Sequence, residues 1–232
     1  MIIKITWILY KIMETILSTN DNQGHLKIYK QFVHNPDDYY HFYAGIDNIN
    51  FTKDNKNNII YDLPFTCYGK LCHMRRGQLL ELSNDIIHSK NGYSFSGITI
   101  PSNPISSISQ KLLDLINSNF KDLHVNSFLH NYYRKYRQGE KPDSLSAHSD
   151  NESSLIHNTV IGISFIEHKH IPRIIRFKHK QSKQIYDIEI YSGDLYIMEG
   201  RSFQNEFTHE IIGYKKGNLS TTNVISLTSR KF

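Results

Sequence analysis

Thirteen histidines in a chain of 232 residues exceed ordinary usage, and only one of them opens a His-x-Asp triplet, His148-Ser149-Asp150. Alone, such a triplet is a weak signal, because ordinary Asp usage gives roughly half an occurrence by chance in a chain this rich in His. Its setting strengthens it. On a strand, residues two apart project from one face, so His148 and Asp150 can aim at a single point. A third ligand must come from a distant strand. His209 is the candidate, 61 residues on and past a Gly193-Asp194 turn and a β run. Two imidazoles and one carboxylate with open positions opposite form the facial arrangement of non-haem Fe(II) oxygenases. Those positions let a keto acid chelate iron and O2 bind beside it. His157, His168, His170 and His179 have no matching carboxylate and read as surface or hydrogen-bonded core residues.

The elements that must position such a site are suggested by composition and periodicity. Hydrophobic residues make up 39% of the chain and aromatics 12%, with 15 Tyr and 12 Phe, which supports a sizeable core and excludes wholesale disorder. The length allows one substantial domain with an extension, or two small ones. A net charge of +5 allows a polyanionic partner without demanding it. Two cysteines exclude a disulfide framework and favour a reducing compartment.

Residues 1–17 (MIIKITWILYKIMETIL) are apolar, but Lys4, Lys11 and Glu14 break the run, which is too short and too charged to span a bilayer. Ile3, Trp7, Tyr10 and Ile16 fall near helical spacing and predict a docked amphipathic helix. A start at Met13 and a poorly ordered leader are the alternatives. No A-x-A-like cleavage site follows, so a soluble, intracellular protein without membrane association is expected, in nucleus or cytoplasm.

Residues 18–61 are polar and Asn-rich, with NDNQG and KDNKNN as turn signals. Residues 104–120 carry Ile105, Ile108, Leu112, Leu115 and Ile116 at three-to-four spacing and predict a helix, with Ser102 or Asn103 as its cap. After Leu123 come six β-like runs, NSFLHNYY, TVIGISFIEH, RIIRFKHK, QIYDIEIY, DLYIME and NVISLTS, separated by pieces such as KQSKQ and SGD. Six short runs without intervening helices point to a sandwich or barrel.

Seven pieces of the chain, in order, resemble motifs of the AlkB family of Fe(II)/2-oxoglutarate dioxygenases, which remove alkyl lesions from nucleic-acid bases. Asn131-Tyr132-Tyr133 resembles the N-x-Y strand that holds 2-oxoglutarate, and HSDNE (148–152) the H-x-D-x-[DE] iron motif. SGDLYIM (192–198) resembles G-D-L-x-x-M, residues 204–209 resemble Q-x-x-[WF]-x-H, and SLTSR (226–230) resembles the closing S/N-L-T-F-R strand. Upstream, Tyr68-Gly69-Lys70 with Met74-Arg75-Arg76, and GYSFSG (92–97), look like the substrate-gripping lid. The likeness is strongest to the eukaryotic DNA-repair members and runs from about residue 60 to the end.

The resemblance implies an α+β, β-dominated fold. Its parts are an N-terminal, helix-containing extension (1–60) and a dioxygenase domain (61–232), made of a nucleotide-recognition lid (61–103) and a double-stranded β-helix (jelly roll) core (124–232). It implies that His148, Asp150 and His209 hold Fe(II). Asn131, Tyr133 and Arg230 would bind 2-oxoglutarate, with O2 as the other cosubstrate. Arg75 and Arg76 would hold phosphates, and Tyr93, Phe95 and Ser96 would frame an extruded base. Glu152 would sense a cationic lesion such as N1-methyladenine or N3-methylcytosine, and Tyr68 would wedge into the gap. The implied partner is alkylated DNA or RNA and the implied state a monomer. The implied reaction is oxidative demethylation coupled to decarboxylation of the keto acid to succinate, releasing formaldehyde and free base.

Two departures stand out. The family closes with two arginines six apart, but six residues before Arg230 stands Val224, on the same strand face. Losing one such charge-assisted contact costs ~2–4 kcal/mol. Arg134, Arg173 and Arg176 are candidate substitutes. Residues 134–142, longer than usual, read either as a nucleic-acid contact loop containing Tyr136 or as a solvated insertion, and they permit an alignment in which Tyr136 replaces Tyr133. The alternative functions are a catalytically impaired nucleic-acid-binding module on the same fold, or a dioxygenase acting on RNA marks or protein.

Overall fold

The computed structural model describes residues 13–45, 63–67, 69–74, 76–87, 92–95, 98–136, 138–139, 142–150, 159–212, 214–215, 218–219 and 221–230. In chain order the elements are β1 (Met13–Ser18), β2 (His25–Tyr29), α1 (Pro36–Ala44), β3 (Leu63–Cys67), β4 (Lys70–Met74), β5 (Gly77–Leu82), β6 (Gly92–Phe95), β7 (Ile98–Pro104) and α2 (Ser107–Asn119). They continue with β8 (Ser127–Tyr133), β9 (Leu145–His148), β10 (Val160–Ile166), β11 (Arg173–His179), β12 (Ile185–Ile190), β13 (Leu195–Glu199) and α3 (Arg201–Glu206). Last come β14 (Phe207–Ile211), β15 (Tyr214–Lys215), β16 (Asn218–Leu219) and β17 (Val224–Arg230).

A nine-stranded sheet in the order β1-β2-β13-β10-β17-β8-β5-β7-β6 faces a four-stranded sheet in the order β12-β11-β14-β9. The central strands of the large sheet are covered on both sides, which is why they read as continuous apolar runs. In β10 all seven residues of VIGISFI are buried. On the outer face Phe128, Ile161, Phe165 and Ile225 pack with Tyr43 of α1 and with Leu112 and Ile116 of α2. On the inner face Tyr133, Val160, Ile166 and Val224 meet Ile175 and Phe177 of the small sheet. The small sheet has one solvated face, so β11 alternates: Arg173, Ile175 and Phe177 are buried and the intervening residues are not. Strand period therefore turns the residues of interest toward the space between the sheets. The result is the β-dominated jelly roll that the motifs implied.

A buried polar network joins the layers. Glu81 of β5 accepts Ser109 Oγ at 2.5 Å and the Ser106 backbone N–H at 3.0 Å, and lies 2.7 Å from His130 Nε2. Tyr43 Oη meets Ser109 Oγ at 2.8 Å. Gly162 in β10 leaves room for the Tyr196 ring, since a Cβ there would stand 2.0 Å from Tyr196 Cζ.

The six β runs after Leu123 correspond to β8, β10, β11, β12, β13 and β17, and the 104–120 helix to α2. Three expectations are corrected. Residues 13–17 form a strand and not a helix, because the NDNQG signal closes a hairpin: Thr19 N donates to Gly24 O, and β1 pairs antiparallel with β2. Residues 1–12 lie outside the described residues. The cap of α2 is Ser106, whose side chain accepts from Ser109 N, because Ser102 and Asn103 are held in the β7 ladder against β5. Asp150 follows the end of β9 instead of sharing its face with His148. The expected division at residue 60 sets apart a segment whose strands β1 and β2 extend the large sheet beside β13.

Candidate active site

β9 and β14 are antiparallel neighbours, and His148 stands directly opposite His209 in their register. That pairing brings together two histidines 61 positions apart, with ring centroids 4.2 Å apart. Asp150 completes the set. Its Oδ1 lies 3.8 Å from His148 Nε2 and its Oδ2 3.6 Å from His209 Nε2, and one donor atom from each residue lies within 4.8 Å of the others.

Each ligand is oriented by a neighbour. His148 Nδ1 lies 2.8 Å from Ser146 O, a contact that places the proton on Nδ1 and leaves the Nε2 lone pair for a metal. The Asp150 backbone N–H donates to Gln204 Oε1 at 2.9 Å, and Ser149 Oγ donates to Phe207 O at 2.8 Å, tying the turn after β9 to α3 and β14. His209 packs against Phe177, its register partner on β11. Asp150 and His209 are buried, whereas His148 is about one third exposed, so the cluster opens on its His148 side. Two neutral nitrogens and one carboxylate on one side of a point suit Fe(II).

Next to this cluster lies a cationic cleft on the inner face of the large sheet. Asn131 and Tyr133 of β8 project into it, with Gln78 opposite Asn131 and Val224 opposite Tyr133. Asn131 Oδ1 accepts Arg76 Nε at 2.8 Å, and the Gln78 amide lies against both. Arg173 Cζ lies 4.5 Å from the centroid of the Tyr133 ring. Burial raises the Tyr133 hydroxyl's pKa, against the opposing charges of Arg76 and Arg173. Burial pulls Arg76 down and brings Arg173 to about 10; an arginine keeps its charge in a protein. A buried and a half-buried cation around a phenol and an amide suit a small dicarboxylate.

The other candidates are placed as follows. Tyr133, and not Tyr136, sits on the strand with Asn131. Arg76 turns toward Asn131 in the cleft. Tyr93 is buried in a small cluster with Leu80, Leu82, Ile100 and Leu129. The backbone of Arg230 pairs with Ser127, but its side chain, that of Phe95, and residues Tyr68, Arg75, Ser96, Glu152 and His157 lie outside the described residues. Of the cations considered for the Val224 position, Arg134 grips Asp143 and Arg176 grips Asp187. His179 is held by Ser182 and Glu206, as its bland reading expected. Among the described residues no helix is long and apolar enough to cross a membrane. Gln204 opens the Q-x-x-[WF]-x-H stretch but received no role of its own from the sequence, and Gln78 carried no spacing signal at all.

A jelly roll with a His-x-Asp pair on one strand end and a distal His on its neighbour defines a class of non-haem iron oxygenase. The profile described as the 2OG-Fe(II) oxygenase superfamily matches residues 66–230, and the chain belongs to that superfamily. The solved structure of OsALKBH1, a plant AlkBH1, matches with a TM-score of 0.52 at 14% identity, covering 95% of this chain and 100% of that one, so the fold is AlkB-like. No curated protein matches the sequence. The protein is a dioxygenase that uses Fe(II), 2-oxoglutarate and O2.

Proposed function

We propose that this dioxygenase is an oxidative demethylase of N-alkylated bases in DNA or RNA, with N1-methyladenine and N3-methylcytosine as substrates and alkylation repair as its role. The observation that carries the reading is the convergence of His148, Asp150 and His209 beside the Asn131–Tyr133 cleft, in a chain whose motifs follow the AlkB order. The net charge of +5 and the likeness to an AlkBH1 favour a nucleic acid over a protein substrate.

In this reading the lid over the 124–232 core comes from those parts of residues 61–103 that lie outside β5 and β7, which belong to the large sheet. Arg75 meets the phosphates, Phe95 and Ser96 wall the base pocket while Tyr93 serves in the core behind it, and Glu152 faces the cationic lesion. Methylation of the pairing edge lowers the cost of extruding the base. When bound, iron with the keto acid supplies the oxidation of the N-methyl carbon. The protein's own share is positioning. Ser146 O and Gln204 hold the metal ligands, Asn131 and Tyr133 orient the cosubstrate, and the two apolar layers keep water from the cleft.

Purified protein given Fe(II), 2-oxoglutarate and an N1-methyladenine oligonucleotide should release formaldehyde and succinate in equal amounts. Succinate without base demethylation across a panel of methylated DNA and RNA would redirect the reading to another substrate. Salt-dependent oligonucleotide binding with no keto-acid consumption would favour the impaired binding module that Val224 suggests.

A further inference from the structure

Val224 lies on the inner face of β17, 1% exposed, opposite Tyr133 on one side and Ile166 on the other. That apolar residue puts no cation on β17 at this level, and Arg76, the other cation beside Tyr133, spends its Nε on Asn131. The opposite sheet supplies a cation. Arg173, the first residue of β11, shares the inward face with Ile175 and Phe177, and its guanidinium lies over the ring of the same Tyr133. Phe177 stands opposite His209, so Arg173 is four residues, ~13 Å along the strand, from the level of the metal ligands. An extended dicarboxylate reaching from one side and a long Arg side chain reaching from the other can together cover that step.

The donors of Arg173 indicate what they await. Its Nε and Nη2 are buried, and among the described residues they have no acceptor. Two of the chain's other arginines use this same edge of the guanidinium to take a carboxylate side-on. Arg134 Nε and Nη2 reach Asp143 at 3.0 and 2.8 Å, and Arg176 Nε and Nη2 reach Asp187 at 2.6 and 2.8 Å. Those contacts commit Arg134 and Arg176, and they hold Asp143, the acid that acts on Arg173 through space. A buried, charged fork without an acceptor is costly, and a planar carboxylate is the group that satisfies both donors at once.

We propose that Arg173 receives the distal carboxylate of 2-oxoglutarate, taking over from across the barrel the role that Val224 cannot fill. The proposal rests on the reading that the keto acid occupies the cleft lined by Asn131 and Tyr133.

The test is calorimetric binding to the full chain loaded with Mn(II), without O2 so that nothing turns over. Two ligands are compared: 2-oxoglutarate, and 2-oxopentanoate, which has the same keto-acid end and no distal carboxylate. The wild type should prefer 2-oxoglutarate by ~10- to 100-fold, the value of a charge-assisted bidentate contact. Arg173→Leu should lose most of that preference while binding 2-oxopentanoate as before. If the Leu variant does not fold, Arg173→Gln carries the same expectation. An unchanged preference in the variant overturns the proposal, and so does an equal loss for both ligands, which marks a structural role only. A wild type that binds both ligands alike overturns it while leaving the cosubstrate site in place. A wild type that binds neither overturns the cosubstrate reading and the proposal with it.

Discussion

Asp150 is a candidate metal ligand whose position depends on a residue outside the cluster. It follows the end of a strand, where no ladder partner fixes its backbone, and the Gln204 carbonyl takes the N–H instead. Gln204 is itself buried, so its contribution is geometric. Gln204→Leu is expected to weaken Fe(II) or Mn(II) binding ~10- to 100-fold, the usual effect of losing a group that orients a ligand, with little change in the melting temperature of the metal-free protein. Calorimetric metal titration checks this, and unchanged affinity would contradict it. At this scale the His148–Asp150–His209 cluster was legible because His and Asp are the residue types the chemistry requires and their spacing is unusual. The motif marked Gln204 but not what it does, because its partner lies 54 positions away. Arg173 was visible only as one of three cations; which of them already grips a carboxylate is decided by strand neighbours that the sequence does not pair.

The element whose placement matters most outside the barrel is α2, which covers the outer face of the large sheet. Its first turn is fastened twice, by the Ser106 hydroxyl on Ser109 N and by Glu81 on Ser106 N and Ser109 Oγ. Ser106→Ala should lower the unfolding free energy by ~1 kcal/mol in denaturant titration, the ordinary value of an N-cap. Burial would raise the Glu81 pKa, but the charge and hydrogen bond of His130, with the bonds from Ser109 and Ser106, overcome it and lower the value from 4.5 to about 2. A carboxyl whose folded pKa is depressed adds stability above its unfolded pKa and loses it as pH falls through the folded one. The stability gap between wild type and Glu81→Gln should therefore be widest near neutrality and narrow as pH drops from 4.5 toward 2. A gap that does not change over that window would contradict the assignment. The helix and six strands were legible because period and β-branched runs are local properties. The cap and the first strand were misread for one reason: hydrogen-bond partners distant in sequence, β5 for Ser102 and Asn103 and β2 for residues 13–17, outbid the local spacing.

Across the whole molecule, two sheets converge on one point. β9 and β14 of the small sheet bring the candidate metal ligands, while β8 and β17 of the large sheet wall the cleft where the cosubstrate is proposed to bind. The jelly roll was legible from the run of short strands and the order of motifs. The docking of β1 and β2 beside β13 was not, since edge pairing between residues 13–29 and 195–199 leaves no local trace. The arrangement predicts a single ion held by side chains from both ends of the 61-residue separation between His148 and His209. Its most direct test is Mn(II) titration of metal-free wild type and of Asp150→Ala, with melting temperature as a second readout. The wild type should bind one ion per chain and melt higher when loaded, by mass action, while Asp150→Ala should bind ~100-fold more weakly or worse, from the loss of one ligand and its charge. Equal affinity and an equal rise in melting temperature in the two proteins would contradict it.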